Sequence, residues 1–270
     1  MTVARWNGVS RTALALLAAL LVSGCFLNKK SPPPTLSPEP GSEAAGASAA
    51  KVDSIWALAD KRFRRGDWEG TVTALERANL EMLPVDPRRS RMHFMIGESM
   101  FQQGDFLQAA REFRRVSDDT PGDPLAPDAL LRAGDSFSAM WRRPELDPTY
   151  GQTAMATYSE VTNRFPGTTA AKQAQQRLTE LQDNFAWKQY KAGSYYMHLK
   201  AYDSAILYYR DVVATYPRSK AAPKALVDLI KAYYKLGYLE DVKETCGYIR
   251  RFHANAKGVA ELCPSDAEAS

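Results

Sequence analysis

The chain has 270 residues, of which 45% are hydrophobic, 10% aromatic and 24% charged. This composition is typical of a globular protein with a sizeable core and excludes a collagen-like or wholly disordered chain. With 35 basic and 31 acidic residues, the formal net charge is only +4, so we expect no nucleic-acid binding. Three histidines and three cysteines leave little material for a metal site, and we expect neither a metal nor another cofactor.

Residues 1–24 have the pattern of a secretory signal peptide. Arg5 and Arg11 precede an apolar run over residues 13–22 that is too short to span a membrane comfortably. The small residues directly before Cys25 resemble the lipobox of bacterial lipoproteins, in which the cysteine is lipidated and becomes the mature N-terminus. We therefore predict a lipid anchor on Cys25, and the alternative is an ordinary secretory signal with an incidental cysteine.

A tether is predicted to follow, over residues 25–51. It contains five prolines and then a stretch rich in Ala, Ser, Gly and Glu, with almost nothing to bury. We expect this segment to be disordered and to hold the folded part away from the membrane surface. Phe26, rather than an aspartate, follows the cysteine, which resembles the pattern of lipoproteins that proceed to the outer membrane.

Beyond residue 52 the sequence repeats itself. Six positions recur with identical spacings of 7, 5, 4, 3 and 5 residues in two segments, which are Gly97, Gly104, Ala109, Phe113, Val116 and Pro121, and Gly193, Lys200, Ala205, Tyr209, Val212 and Pro217. They resemble the tetratricopeptide repeat, a pair of antiparallel helices. The small residues let the two helices cross closely, the aromatics fill the space between pairs, and the proline stops the second helix. Lys200 replaces a glycine at the turn and predicts a less demanding backbone angle there.

Weaker versions of the pattern occur three more times, and an insertion around residues 142–150 interrupts one of them. Residues 169–185 carry apolar side chains at helical spacing and predict a helix that joins two sub-solenoids. The predicted fold is therefore an all-α solenoid of about five tetratricopeptide repeats in two sub-solenoids. Repeats 1–3 occupy residues 52–168, the joining helix and repeats 4–5 occupy 169–253, and a tail occupies 254–270. A generic helical bundle is the alternative.

Repeats of this kind line a concave surface with the first helix of each unit, and such a surface binds peptides far more often than it catalyses reactions. In the first three units this face is predicted to carry aromatics beside arginines, a set that we call the N-terminal groove: Trp56, Phe63, Arg64, Arg91, Phe94, Phe101 and Arg132. It suits an extended peptide that ends in an aromatic residue and a carboxylate. About half of the individual aromatics are expected to pack against a neighbouring repeat instead.

In the last two units the same face is aromatic and net basic. We call it the C-terminal basic face, defined by Lys191, Lys224, Lys231 and Lys235. Charges at the rim of such a face mostly set the rate and the salt dependence of association. The face is therefore predicted to bind a folded acidic partner.

The remaining cysteines and the histidines have structural interpretations. Cys246 and Cys263 would lie in an oxidising compartment, where a bridge could join the last helix to the tail. A buried free thiol at Cys246 is equally compatible with the sequence. His93, His198 and His253 fall in three separate units, so we interpret them as structural or solvated rather than catalytic.

Several features together resemble the BamD family of lipoproteins, over about residues 52–252. They are the lipobox, the Pro-rich tether, the five repeat units, the Arg-Pro-Glu-Leu-Asp segment at residues 143–147 and the Ala-Gly-Ser-Tyr-Tyr stretch at residues 192–196. The resemblance implies a non-enzymatic scaffold of the β-barrel assembly machinery, lipid-anchored at the periplasmic face of the outer membrane. It also implies that the C-terminal repeats hold the POTRA domains of a BamA-like insertase, that the N-terminal repeats receive unfolded outer-membrane proteins, and that other lipoproteins of the machinery are partners.

One position departs from that family. Its members usually carry an arginine in the joining helix that is important for coupling to the insertase, and the aligned position here is Asn184. Arg177 or Lys188 could supply the charge only if they face the same side of the helix.

Two other functions stay open from the sequence. A periplasmic tetratricopeptide protein of the CpoB kind, which coordinates envelope constriction, shares the repeat pattern, but it normally lacks a lipobox and carries an N-terminal coiled coil. A wall hydrolase with a helical solenoid is the enzymatic alternative, and there we interpret Glu98 as a binding or surface residue rather than a general acid.

Overall fold

The computed structural model describes residues 40–143 and 145–263, and for residues 40–47 it describes the helix alone. These ranges form eleven α-helices and no strand. The helices are α1 (Pro40–Arg64), α2 (Trp68–Glu81), α3 (Arg89–Gln103), α4 (Phe106–Asp119), α5 (Ala126–Met140), α6 (Thr149–Arg164), α7 (Thr169–His198), α8 (Tyr202–Thr215), α9 (Ala222–Leu236), α10 (Leu239–Phe252) and α11 (Val259–Leu262). None of them is both long and apolar enough to cross a membrane. The predicted signal peptide and Cys25 lie outside the described residues.

The helices pair in chain order into five repeats. These are α1 with α2, α3 with α4, α5 with α6, the second half of α7 with α8, and α9 with α10. Each helix packs against the next along the chain, and the first helices of neighbouring repeats also meet. The predicted all-α solenoid of tetratricopeptide repeats is confirmed.

The predicted joining helix is present as the first half of α7, a continuous helix of 30 residues. Its apolar residues up to Phe185 pack in one hydrophobic cluster with α5 and α6. From Ala186 onward they pack in a second cluster with α8, α9 and α10. At 1.5 Å per residue the helix is about 45 Å long, and it belongs to both sub-solenoids.

The predicted tether is wrong for residues 40–51, because α1 already begins at Pro40. The stretch that we interpreted as low-complexity contains five alanines between residues 44 and 50, and alanine has the highest helix propensity. Proline is tolerated in the first turn, where its missing N–H would have no partner anyway. Lys51 Nζ lies 2.6 Å from a carboxylate oxygen of Glu81, which ties this part of α1 to α2.

In the second, third and fourth repeats, a glycine on the first helix faces an aromatic ring on the second. A Cβ atom at Gly193 would lie 2.6 Å from the ring of Tyr209, and one at Gly97 would lie 2.9 Å from the ring of Phe113. Both rings are fully buried. The close crossing therefore requires the absence of a side chain at these positions, as the repeat pattern predicted.

The turn at Lys200 contradicts the sequence interpretation. Lys200 has a φ of 59°, and it is the only non-glycine residue with positive φ in the described part of the chain. Its N–H donates to the Met197 carbonyl and that of Ala201 donates to the Tyr196 carbonyl, each at 3.0 Å. Gly104 ends α3 with the same two bonds and a φ of 85°. The hydrogen bonds that close the helix end dictate a left-handed residue, and lysine adopts it at a steric cost.

The tail folds back onto the last repeat. A disulfide bond joins Cys246 on α10 to Cys263, with the two Cα atoms 5.5 Å apart. The hydroxyl of Tyr234 on α9 donates to the Leu262 carbonyl at 3.0 Å, and Val259 of α11 is buried. The tail thus packs on α9 and α10 and contributes Val259 and Cys263 to the core of the last repeat.

Changing Lys200 to glycine is expected to raise the free energy of unfolding by about 1 kcal/mol, because glycine adopts positive φ without steric cost. The reverse change at the equivalent turn, Gly104→Lys, is expected to lower it by a similar amount. Urea unfolding followed by circular dichroism measures both changes. A lower midpoint for Lys200→Gly would contradict the strained turn.

Gly193→Ala is expected to lower the free energy of unfolding by about 2 kcal/mol, because the added methyl group overlaps the ring of Tyr209 and forces the two helices apart. Gly247→Ala on α10 is the matched control, since a Cβ atom there meets no atom within 4 Å. The control is expected to leave stability unchanged or to raise it slightly, because alanine favours the helix. Equal effects of the two changes in thermal unfolding would refute the role of the close crossing.

Candidate functional site

The seven residues of the N-terminal groove lie on α1, α3 and α5, the first helices of the first three repeats. Ion pairs connect these helices directly. Arg91 on α3 lies 3.1 Å from Asp60 on α1, and Arg132 on α5 lies 2.8 Å from Glu98 on α3. The structure therefore connects the three helices that carry the predicted groove residues through Arg91 and Arg132.

The four aromatics of the groove are all half-buried. Each contacts a ring or a guanidinium nearby: Phe63 with Trp68, Phe94 with Phe113, Phe101 with Phe106, and Trp56 with Arg88. The ring centroids of the three phenylalanines lie 5.1–5.6 Å from those of their partner rings, in edge-to-face geometry. Each aromatic thus supports its repeat with one part of its surface and offers only the rest to a ligand.

The arginines of the groove already have internal partners. Arg64 and Arg91 share the carboxylate of Asp60, at 2.7 and 3.1 Å. Arg132 makes a bidentate bond to Glu98 and lies 4.1 Å from the centroid of the Phe101 ring. The side chains of Arg64 and Arg91 are 76% and 58% exposed, against 23% for Arg132. Exposed ion pairs contribute only about 0–1 kcal/mol, so Arg64 and Arg91 can leave Asp60 for a ligand carboxylate at a small cost in free energy. Arg132 is held in place by Glu98 and is mostly buried.

Asp135 extends this network from the groove to the joining helix. It lies 3.1 Å from Arg132 and 3.6 Å from Arg177 on α7, and it accepts a hydrogen bond of 2.7 Å from the hydroxyl of Tyr158. Burial raises the pKa of Tyr158, so its hydroxyl stays protonated and donates. Spacing along the chain does not reveal that residues from three helices meet at one carboxylate.

The C-terminal basic face lies on α7 and α9, and its four lysines are all exposed. The Nζ atoms of Lys191 and Lys224 lie 5.9 and 4.9 Å from the ring centroid of Trp187, so both cations flank one aromatic. Lys191 is also paired with Glu145 at 2.9 Å and Lys231 with Asp228 at 2.8 Å. Lys224 and Lys235 form no ion pair with any residue of the described ranges. The face is therefore less basic than its four lysines alone imply, because carboxylates neutralise two of them.

Asn184 is exposed on α7, and the two candidate substitutes for the family arginine share its side of the helix. Arg177 precedes Asn184 by seven residues and Lys188 follows it by four, which places each of them within about 40° of Asn184 around a helix of 3.6 residues per turn. Lys188 Nζ donates to the Leu146 carbonyl at 2.6 Å, and Lys191 holds Glu145, so the loop between α5 and α6 rests on this side. The hydrogen bond from Lys191 lowers the pKa of the Glu145 carboxyl, which keeps it ionised.

The histidines lie apart from one another. His93 is buried, and its Nδ1 lies 2.7 Å from the Glu112 carboxylate on the other helix of its repeat. Nδ1 of His198 bonds the Ser194 carbonyl one turn earlier at 2.7 Å. Among the described residues, no three His, Cys, Asp or Glu side chains are grouped so that they could hold a metal ion.

Solved structures of tetratricopeptide proteins are similar to this chain at low identity. The TPR2AB domain of yeast Sti1, in its pHSP90 complex, is 11% identical with a TM-score of 0.40, over 77% of this chain and 79% of that one. A thermophilic tetratricopeptide protein of Thermus thermophilus, TTC0263, is 13% identical with a TM-score of 0.35, over 78% of this chain and 95% of that one.

Sequence relatives are more specific. The chain is 23% identical over 232 residues to the outer membrane protein assembly factor BamD of Caulobacter vibrioides, which covers 86% of this chain and 72% of that protein. It is 28% identical over 103 residues to BamD of Vibrio cholerae, which covers 38% of this chain and 43% of that protein. Residues 48–247, from α1 into α10, match the family described as "YfiO: Outer membrane lipoprotein". The predicted resemblance is confirmed, and the chain belongs to the YfiO family of BamD-like outer membrane lipoproteins.

Proposed function

We propose that this chain is a non-enzymatic scaffold of the β-barrel assembly machinery, lipidated at Cys25 and held at the periplasmic face of the outer membrane. The C-terminal basic face binds the POTRA region of a BamA-like insertase, the N-terminal groove receives unfolded outer-membrane proteins, and other lipoproteins of the machinery are partners. The family match over residues 48–247 carries this proposal, because it covers both surfaces. The different charge arrangement of the two surfaces supports a division of labour between them.

The N-terminal groove suits a peptide with an aromatic residue and a terminal carboxylate. The half-buried aromatics leave shallow apolar surface, and the carboxylate of the peptide can take the place of Asp60 beside Arg64 and Arg91. One ion pair forms as another breaks, so the net gain is small, on the order of 1 kcal/mol or less. Such a groove binds reversibly, as a site that hands its client on must do.

The C-terminal basic face suits a folded acidic domain. Its lysines are accessible and carry their charges at the ends of long side chains, where charges mostly raise the rate of association and make it sensitive to salt. Trp187, between Lys191 and Lys224, is half-buried and supplies an aromatic contact at the centre of the face.

Cys25→Ser is expected to give a product without acyl chains, because serine has no thiol to carry the lipid. The unchanged chain is expected in the detergent phase, and mass spectrometry of its N-terminal peptide should show the acyl chains. An N-terminal peptide of the unchanged chain without acyl chains would overturn the lipidation.

Separate variants test the division of labour. Arg64→Glu with Arg91→Glu is expected to weaken binding of a peptide that ends in phenylalanine and a free carboxylate by at least about tenfold, because the new glutamates repel that carboxylate in addition to removing its partners. Binding of a purified POTRA fragment is expected to stay unchanged. Lys231→Glu with Lys235→Glu is expected to do the converse, with a weaker salt dependence of POTRA association. Phe94 and Arg132 are poorer positions, because Phe94 packs on Phe113 and Arg132 is fixed by Glu98.

The control is Lys172→Glu with Lys243→Glu, which makes the same charge change at exposed positions away from both surfaces. It is expected to leave both affinities unchanged. If either test variant lost both activities while it kept its circular dichroism spectrum, the two surfaces would have to be one. If the unchanged protein bound no POTRA fragment, the proposed function itself would be wrong.

A further inference from the structure

A cavity of about 290 Å³ lies where the tail meets the C-terminal basic face. It is bounded by α7, by α9 with the turn before it, and by the turn between α10 and α11. We call it the tail pocket. Its apolar wall is formed by Pro223, Val227 and Ala256. Its basic rim is formed by Lys220, Lys224 and Lys257.

The tail side of this pocket is held in place by several bonds. The disulfide between Cys246 and Cys263 ties the end of the tail to α10. A guanidinium nitrogen of Arg250 donates to the Cys263 carbonyl at 3.1 Å. Gly258 lies close against α9, because a Cβ atom there would be 3.7 Å from Val227 Cγ1. The turn that carries Ala256 and Lys257 is therefore followed by a segment that is bonded to α10 and lies against α9.

Two cations of the pocket have no carboxylate partner among the residues that the structure describes. Lys220 pairs with Asp183 at 3.2 Å, and Asp228, the acidic residue of the lining, accepts a hydrogen bond of 2.8 Å from the Tyr190 hydroxyl and pairs with Lys231. Lys224 and Lys257 form no ion pair within the described ranges, and Lys224 rests over Trp187. The pocket thus offers an apolar wall beside two positive charges that no described carboxylate neutralises.

We propose that the tail pocket binds a bulky apolar side chain flanked by a carboxylate, presented by an acidic protein partner. This inference deepens the proposed function and rests on it for the assignment of the face to an acidic partner. An apolar group fills the cavity between Pro223, Val227 and Ala256, and the carboxylate reaches Lys224 and Lys257.

A phosphate group fits the same pocket less well. No arginine lines the cavity, so the bidentate geometry that phosphate favours is missing. Pro223 stands in the first turn of α9 and removes one of the N–H groups that a helix N-terminus would present to an anion. The apolar wall would also remain empty. A carboxylate next to an apolar side chain uses both features.

The probe for the test is the peptide acetyl-Ser-Asp-Phe-Asp-Ser-amide, titrated into the oxidised, soluble form of the chain and followed by isothermal calorimetry and by backbone amide shifts. We expect saturable binding with shifts at Lys224, Val227 and Lys257. The peptides with Asn for Asp, or with Ala for Phe, are expected to bind at least about tenfold more weakly. Shifts confined to other regions, or equal binding of the Asn peptide, would overturn the proposal.

Three variants locate the site. Lys224→Glu with Lys257→Glu, and Ala256→Trp, which fills the cavity without a change of charge, are each expected to weaken peptide binding at least about tenfold. Cys246→Ser with Cys263→Ser is expected to weaken it as well, because the tail is released, while the helical circular dichroism signal persists. Lys172→Glu with Lys243→Glu is the matched charge control and is expected to bind the peptide as the unchanged chain does. Undiminished binding by Ala256→Trp would overturn the pocket.

Two further outcomes separate this inference from the proposed function. If inorganic pyrophosphate displaced the peptide at a concentration below that of the peptide itself, the pocket would be a phosphate site and the inference would fall. If the peptide did not bind but the POTRA fragment bound in a way that Lys231→Glu with Lys235→Glu weakened, the pocket would be wrong and the proposed function would stand. Ala256→Trp is expected to weaken POTRA binding too, which would show that the tail pocket takes part in binding the POTRA fragment.

Discussion

The close crossing of two helices in the three central repeats, α3 with α4, α5 with α6 and α7 with α8, is the contact on which the rest of the structure depends. A glycine at the crossing allows the ring of the partner helix to lie against the backbone, so Tyr209 is buried under α7 at Gly193 and Phe113 under α3 at Gly97. Half-buried aromatics of the two surfaces pack on these buried rings: Phe94 contacts Phe113, and Tyr190 contacts Tyr209. The binding surfaces are therefore extensions of the core, and their side chains are positioned by the same contacts that stabilise the repeats.

Local spacing predicts most of the fold because the repeat pattern is a local property. The helix pairs, the insertion before α6 and the long α7 all follow from apolar and small residues at fixed intervals. The prediction for Lys200 is wrong because its backbone angle is dictated by the hydrogen bonds that close α7 rather than by its own preference. The prediction for the start of α1 is wrong because an alanine-rich stretch looks like a linker by composition and like a helix by propensity.

The sequence predicts which residues lie on the candidate surfaces, but not which of their charges are neutralised by ion pairs. The repeat register placed Arg91 and Arg132 on first helices, and the structure finds them there on one face. Their partners Asp60 and Glu98 lie 31 and 34 residues away along the chain, and no local spacing indicates such pairs. The same limit applies to the tail pocket, because Ala256 and Lys257 reach α9 only through the fold of the tail.

The continuous joining helix has a geometric consequence for the two surfaces. Phe185 and Ala186 are neighbours in α7, yet they belong to different hydrophobic clusters. Each residue of a helix adds about 100° of rotation and 1.5 Å of rise, so the number of residues between the clusters sets the angle at which the two surfaces face each other. A deletion of one residue at this boundary would leave each sub-solenoid its own core but turn one by roughly a quarter of a revolution against the other. The number of residues in α7 therefore fixes the rotation of one sub-solenoid relative to the other, and with it the angle between the two binding surfaces.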